Sequence, residues 1–439
     1  MDVHVVSKKN NQQHATFTLH TPPRKLPDSS VRVRVQLISL SSNNLSYARM
    51  GEALRWWDTY PVSKSYPAPY NDSSTWGNVP AWGFAAVEES TISELAPGTL
   101  LYGFWPTSAA PADLKLEASY LDGHWTEISE HRKSLMPLYN RYKQTSVSQP
   151  VSTLSRSPSS EAQAELEHLA WSAVLIWKSG YFLSEHVFPP YPEKQTPIHP
   201  LGHQPGLSWT TDDGDISSAA VISLAASTKT ARSLAYFLER RPSGSGPLGF
   251  LQVTSSVASL SEASQKADPP FPSKSVEYSQ IDSHGTVAWL KNINPYKIVV
   301  IDFGARSNTL KRLLEAIKDE ASLQPAQVVI VHVGSEQKVI TPEETLANRK
   351  AMTELGKIQY NTSGIEDSLL QTMGMGAFYE TLDAKGKQMR DDRQQWLADI
   401  KIVWGRGVSG TGGIEGAWDR LCQGQVGSNE ALVYHVQPE

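Results

Sequence analysis

The sequence predicts an α/β protein: a β-rich domain first, then a doubly wound parallel sheet, then a return segment. Three observations carry this. Near the start, apolar and polar residues alternate, as in VRVRVQLISL (31–40), which is the period of a half-buried antiparallel strand. After residue 218 the apolar runs become continuous, as in AAVISLAAS (219–227) and KIVVIDFGA (297–305), as expected of strands covered on both faces. Helical stretches separate those runs, the grammar of parallel strands joined by crossover helices.

Taken in order, Val31, Val33, Val35 and Leu37 share one face of the first clear strand, and Arg32, Arg34 and Gln36 the other. VPAWGFAAVEES (79–90) and GTLLYGFWP (98–106) continue the β character, with a turn signal at Pro97-Gly98. Residues 1–143 are read as the β-rich domain. Residues 144–162 are rich in Ser, Thr and Pro and are read as an exposed linker or insertion. Glu161 to Phe182 reads as an amphipathic helix, with Leu166, Leu169, Ala173 and Trp177 at helical spacing, and 188–215 as a Pro- and Gly-rich loop. Four buried strands then alternate with helices: AAVISLAAS, GFLQVTS (249–255), KIVVIDFGA and AQVVIVHVGS (326–335). They place a Rossmann-type domain at 163–335. Residues 336–439 are the return segment, closed by a strand at ALVYHV (431–436).

The 439 residues hold 39% hydrophobic and 19% charged side chains, an ordinary globular balance. A net charge of −5 argues against nucleic acid as a partner. No apolar run approaches the ~18 residues of a membrane span, and the start has no signal core, so cytoplasm is the expected location. The one cysteine, Cys422, excludes an intrachain disulfide and a cysteine-cluster zinc site. Six of the 13 tryptophans and half of the 16 tyrosines fall between Tyr47 and Tyr142, a density that asks for more than core filling.

A Rossmann strand normally runs into Gly-x-Gly-x-x-Gly, so that backbone can approach a pyrophosphate closely. Here that turn reads Ala225-Ala226-Ser227-Thr228-Lys229-Thr230-Ala231, without a glycine. Ser227, Thr228, Lys229 and Thr230 still offer hydroxyl and ammonium donors beside a helix N-terminus; the plain alternative is a Ser cap and a solvated Lys. The literal motif at Gly244, Gly246 and Gly249 precedes its strand and reads as a loop. The second strand ends Val253-Thr254-Ser255-Ser256, without the acid that holds ribose hydroxyls in NAD sites. No cofactor is therefore fixed by the sequence; NADPH is compatible and NADH is disfavoured. No metal is expected, because His199-x₃-His203 lies in a Pro-rich loop with no acid near it. Asp302 and His332 end buried strands at the carboxyl edge, where doubly wound sheets bind ligands.

The layout resembles the medium-chain dehydrogenase/reductase superfamily. Ser42-Asn43-Asn44-Leu45-Ser46-Tyr47-Ala48-Arg49-Met50-Gly51 is similar to its Asn-Pro-x-Asp segment ending in Arg-x-Gly, with Arg49 and Gly51 matching. Trp82-Gly83-Phe84 stands where many members carry Gly-His-Glu, so the resemblance is to a zinc-less branch with a GroES-like first domain. Within it, these pieces resemble a domain family of unknown function found in bacteria and fungi, together with Pro80-Ala81, Tyr102-Gly103-Phe104, His131-Arg132, Tyr139-Asn140-Arg141-Tyr142 and Ala226 to Ala231. Some fungal relatives look like companions of polyketide synthases, associated with product release and pyrone formation.

That resemblance implies a cleft lined by the 43–47 segment. Tyr47, Asn44 and His131 become the expected catalytic residues: a proton donor, an oxyanion-orienting amide and a base. Asn43, Trp57, Trp82, Phe84, Tyr139 and Tyr142 are the expected substrate contacts, for an apolar acyl or polyketide-type molecule, delivered in one version by a synthase carrier domain. Three functions stay open. The first is non-redox release of an acyl thioester, by hydrolysis or by lactonisation to a pyrone. The second is NADPH-dependent, zinc-independent reduction of an enone or quinone. The third is a non-catalytic binding scaffold.

Overall fold

The computed structural model describes all residues except 21–23, 148, 307 and 438–439, and the side chains of residues 342 and 349. The chain divides into two units. Unit 1 comprises 1–175, 337–341 and 401–439, and unit 2 comprises 176–336 and 342–400.

Among the described residues, unit 1 begins with the strands β1 (Asp2–Ser7), β2 (His14–Thr18), β3 (Ser30–Leu40), β4 (Trp76–Gly77), β5 (Pro80–Ser90), β6 (Leu100–Pro106), β7 (Ala112–Ala118), β8 (His124–Glu127) and β9 (Arg141–Gln144). β1 pairs with β2 and β4. The others run β3-β5-β6-β9-β8-β7, and β7 pairs back onto β3, so the sheet closes on itself. Closure removes exposed edges, and the alternation along β3 shows how the sequence achieves it. Val31, Val33 and Val35 are wholly buried in its core, and past a register break between Val35 and Leu37 that side is taken over by Ile38 and Leu40, a shift the plain alternation did not predict. Outward, Arg32 meets Asp113 of β7 through two hydrogen bonds (2.8 and 3.0 Å), and the Arg34 guanidinium pairs with Glu88 of β5.

Unit 2 holds β10 (Ala219–Leu224), β11 (Gly249–Val253), β12 (Ser273–Val276), β13 (Lys297–Phe303), β14 (Gln327–Gly334) and β15 (Ile358–Gln359). All pair in parallel, in the order β12-β11-β10-β13-β14-β15. That is the 3-2-1-4-5-6 order of a doubly wound Rossmann sheet, whose switch point lies between β10 and β13. Every residue of β10 and β13 is buried, which explains their uninterrupted apolar runs. Helices Lys229–Leu238, Val257–Ala267, His284–Ile293 and Thr309–Asp319 make the crossovers.

The chain then returns to unit 1 with β16 (Lys401–Arg406) and β17 (Glu430–His435). β17 pairs antiparallel with β3 (Leu432 opposite Leu40), and β16 lies parallel to β17.

Three expectations are corrected. The 144–162 linker contains a helix, Val151–Arg156, whose Val151 and Leu154 are buried; a second helix starts at Ser160, capped by the Ser159 side chain. The single helix expected over 161–182 is two, Ser160–Val174 and Lys178–Phe182. Leu175 is extended, and Gly180 packs so closely on Ser233 and Leu234 that a Cβ there would lie 2.3 Å from the Ser233 hydroxyl. The expected return segment starts too early: 342–400 belongs to unit 2, adding β15 and the helices Pro342–Glu354, Thr362–Met373 and Met375–Asp391. Phe378, Leu382 and Met389 of the last helix are buried.

Candidate functional site

Parallel register sets one row of residues along the carboxyl edge of the unit 2 sheet. Val276, Val253, Leu224, Asp302, His332 and Gln359 stand side by side on β12, β11, β10, β13, β14 and β15. Whatever follows these positions forms the rim that open α/β sheets use for ligands.

On β10 the rim is the turn Ala225–Thr228. The Ala226 N–H donates to the Val253 carbonyl (2.9 Å) and the Thr228 N–H to the Ala225 carbonyl (3.0 Å). Ala225 is held at φ 57°, the left-handed region that a glycine adopts without cost, and Ala225 and Ala226 are buried. Thr228 caps the helix that follows: its hydroxyl accepts from the Ala231 N–H (3.3 Å). Ser227 is buried, its carbonyl accepting from Arg232, whereas Thr228, Lys229 and Thr230 are half-buried at the first turn. Hydroxyl and ammonium groups there lie at the positive end of the helix dipole, an arrangement suited to a phosphate.

On β13 and β14 the rim is charged. One Asp302 oxygen accepts from the backbone N–H groups of Gly304 (3.1 Å) and Ala305 (2.9 Å). That clamp needs Gly304 at φ 107°, where a Cβ would lie 2.4 Å from the Ser335 carbonyl oxygen. The other oxygen lies 3.6 Å from His332 Nδ1 and 3.6 Å from Lys357 Nζ. Burial works against the Asp302 carboxylate, but His332, the Ala305 amide and Lys357 outweigh it and hold its pKa below the ordinary value. His332 Nδ1 is buried and has no hydrogen-bond partner closer than this contact.

Past β12, the Tyr278 phenol is pushed up to about 12, chiefly by burial, with the Arg306 cation opposing the shift. The Arg306 guanidinium stands 4.8 Å from the Tyr278 ring centre. The Thr254 N–H donates to the Val276 carbonyl (3.0 Å), so this pair follows directly beside the end of β11, where no acid stands. The acids near this pair are Asp302, already engaged, and Glu336 and the exposed Glu277, which add to the upward shift of Tyr278.

The cluster expected from the β-rich domain has a different character. In unit 1 the Tyr47 hydroxyl accepts from Trp82 Nε1 (3.1 Å) and is pushed up to about 12, chiefly by burial. Tyr47, Trp56, Trp82, Phe104 and Tyr139 form one net of ring contacts with centres 4.8–6.1 Å apart. Asn44 is a capping residue: its oxygen accepts from the Ser41 N–H (2.7 Å) and its amide donates to the Pro80 carbonyl (2.9 Å).

Three expected substrate contacts are corrected. Trp57 sits in a slot left by Gly51 and Gly77, where a Cβ would lie 2.4 and 2.2 Å from the indole. Tyr142 fills the matching slot at Gly103 (2.2 Å), and Phe84 is 2% exposed, so all three are core residues. His131 is exposed on a short 3₁₀ turn, its pKa lowered by partial desolvation and the adjacent Arg132 cation. Among the expected contacts, Asn43 and Trp82 are half-buried, and Trp82 stacks on the half-buried Tyr102 (5.8 Å).

Sequence reasoning did not find Lys357, Tyr278 or Arg306. Tyr278 follows a strand, Ser-Lys-Ser-Val, with too little apolar character to announce itself, and Lys357 precedes the two-residue β15. Among the described residues, no group of three or more His, Cys, Asp or Glu is placed to hold a metal ion.

NADPH, which the sequence leaves compatible, fits the rim in part. Thr228, Lys229 and Thr230 suit its pyrophosphate, and Arg306 with Tyr278 suits an adenosine bearing an extra phosphate. Ala225 narrows the turn where a glycine would open it.

A family model described as a protein of unknown function, DUF2855, matches residues 38–427. Comparison with curated proteins gives no match. Similar solved structures include CurA in complex with NADPH from Vibrio vulnificus, at 10% identity, 100% coverage of both chains and a TM-score of 0.48. A mutant enoyl thioester reductase from Candida tropicalis gives 10% identity, 99% coverage of both and 0.49. The CurK enoyl reductase gives 12% identity, 99% coverage of both and 0.46. Likeness at this depth transfers no activity; the strand order assigns the fold. With 38–427 matched, the chain belongs to the DUF2855 family.

Proposed function

We propose that the chain is an enzyme of reductase type that takes NADPH along the carboxyl edge of unit 2. The observation that carries this reading is the charge pattern of that rim. A capped helix start with Thr228, Lys229 and Thr230 stands at the switch point, and the Arg306–Tyr278 pair lies beside an acid-free strand end.

Thr228, Lys229 and Thr230 would hold the pyrophosphate through hydroxyl and ammonium donors and the first N–H groups of their helix. Arg306 would pair with the adenosine phosphate and keep its stacking on Tyr278, which holds the guanidinium flat. Bound there, NADPH would supply a hydride. The expected acceptor is an apolar enone or quinone.

Ala225 favours a second reading. A side chain at φ 57° in the pyrophosphate turn suits a single phosphate, such as that of a phosphopantetheine thioester. The rim would then serve non-redox release of an acyl or polyketide-type chain, presented by a synthase carrier domain.

Titration of NADPH fluorescence separates the two. The reductase reading expects micromolar binding, at least tenfold weaker binding of NADH, and an R306A variant that loses this preference while binding NADH as before. No NADPH binding at millimolar concentration would remove the reading.

A further inference from the structure

We propose that His332, positioned by Asp302, is a general base that removes the proton from carbon next to a carbonyl. The inference deepens the reading above, resting on it for the place of the ligand at the carboxyl edge.

The geometry has the parts such a base needs. Asp302 is fixed at one oxygen by the Gly304 and Ala305 amides, and its other oxygen faces His332 Nδ1 at 3.6 Å. A carboxylate on that side favours the Nδ1–H tautomer, which leaves the lone pair on Nε2. The contact is longer than a hydrogen bond, as such pairs often are before substrate binds, and Nδ1 has no closer partner to compete for it. The imidazole is partly open, its side chain 18% exposed against 8% for Asp302. The two strands bring the pair together by register, Asp302 opposite His332, at the sheet edge where ligands bind.

In the step, Nε2 takes the proton from the α-carbon. The C–H electron pair moves into a carbon–carbon double bond, and the carbonyl π pair moves onto oxygen, giving an enolate and an imidazolium. Run forward, this step starts a pyrone closure; run backward, the imidazolium returns the proton to the α-carbon and completes an enone reduction. The charged groups facing His332 are Asp302 of β13 and Lys357 ahead of β15; beyond Asp302 stand Tyr278, Arg306 and Glu336. Lys357, 3.6 Å from Asp302 Oδ2, stabilises the carboxylate and thereby the imidazolium's partner.

The test needs no nucleotide. Acetoacetyl-CoA is dissolved in D₂O, and loss of its C2 proton signal is followed by NMR with the full chain. The wild type is expected to exchange at least tenfold faster than buffer, and H332Q to fall to the buffer rate while its thermal unfolding is unchanged. D302N keeps exchange but shifts its pH profile, which a merely structural carboxylate would not do. Added imidazole restores exchange in H332G. Wild-type exchange at the buffer rate, or an H332Q variant as fast as wild type, overturns the proposal. NADPH fluorescence on the same H332Q sample reports the nucleotide separately, so loss of exchange with binding intact is distinct from failure of the nucleotide reading.

Discussion

Glu239, 3% exposed at the end of helix Lys229–Leu238, carries a buried carboxyl group that the proposed chemistry does not use. Ser264 and Ser273 donate to it, yet burial dominates and raises its pKa to about 7. The folded value lies above that of the unfolded chain. Between about pH 4.5 and 7 the native state therefore keeps a proton that the unfolded chain has released, and stability falls as pH rises. The loss is on the order of 3 kcal/mol across that window. An E239Q variant, neutral throughout, is expected to lose this slope and to exceed wild type at pH 8, measured as urea midpoints at pH 5 and 8. A wild type equally stable at both would contradict the assignment. At this scale the sequence was partly legible. Asp302 and His332 announced themselves as polar ends of apolar runs. Trp57, Phe84 and Tyr142 lie in the core instead, because aromatic density says nothing about which side of a sheet a ring packs on. For Trp57 and Tyr142, Gly51, Gly77 and Gly103 give the physical reason: their missing side chains leave the room those two rings fill.

The element that matters most is helix Lys229–Leu238, whose start is the proposed phosphate site. Its Arg232 is 2% exposed and donates to both oxygens of Asp399 (2.7 Å each), tying the helix to the end of unit 2's second stretch. Removing the acid strands a buried cation. D399A is therefore expected to cost about 3 kcal/mol by urea unfolding, whereas the double variant R232M/D399L costs clearly less, since no unpaired charge is left. Equal losses would show that packing, not charge, sets the cost. Elements with strong periodicity were readable: β3, β10, β13 and β14 follow from alternation or from continuous apolar runs. β12 and β15 were not, because a four-residue polar strand and a two-residue strand take their stability from the neighbours they pair with.

For the whole molecule, the order of patterns along the chain was enough to predict a β-rich part followed by a Rossmann sheet. Closure of the first sheet through β7 and β3, and the assignment of 342–400 to unit 2, required contacts between residues far apart in sequence. On the proposed reading, unit 2's carboxyl edge is a nucleotide site despite a turn without glycine. A crystal structure of the chain grown with NADPH tests it most directly. Density is expected with phosphates on the Thr228–Thr230 turn and adenosine beside Tyr278 and Arg306. An empty edge at saturating NADPH, or density confined to unit 1, would contradict it.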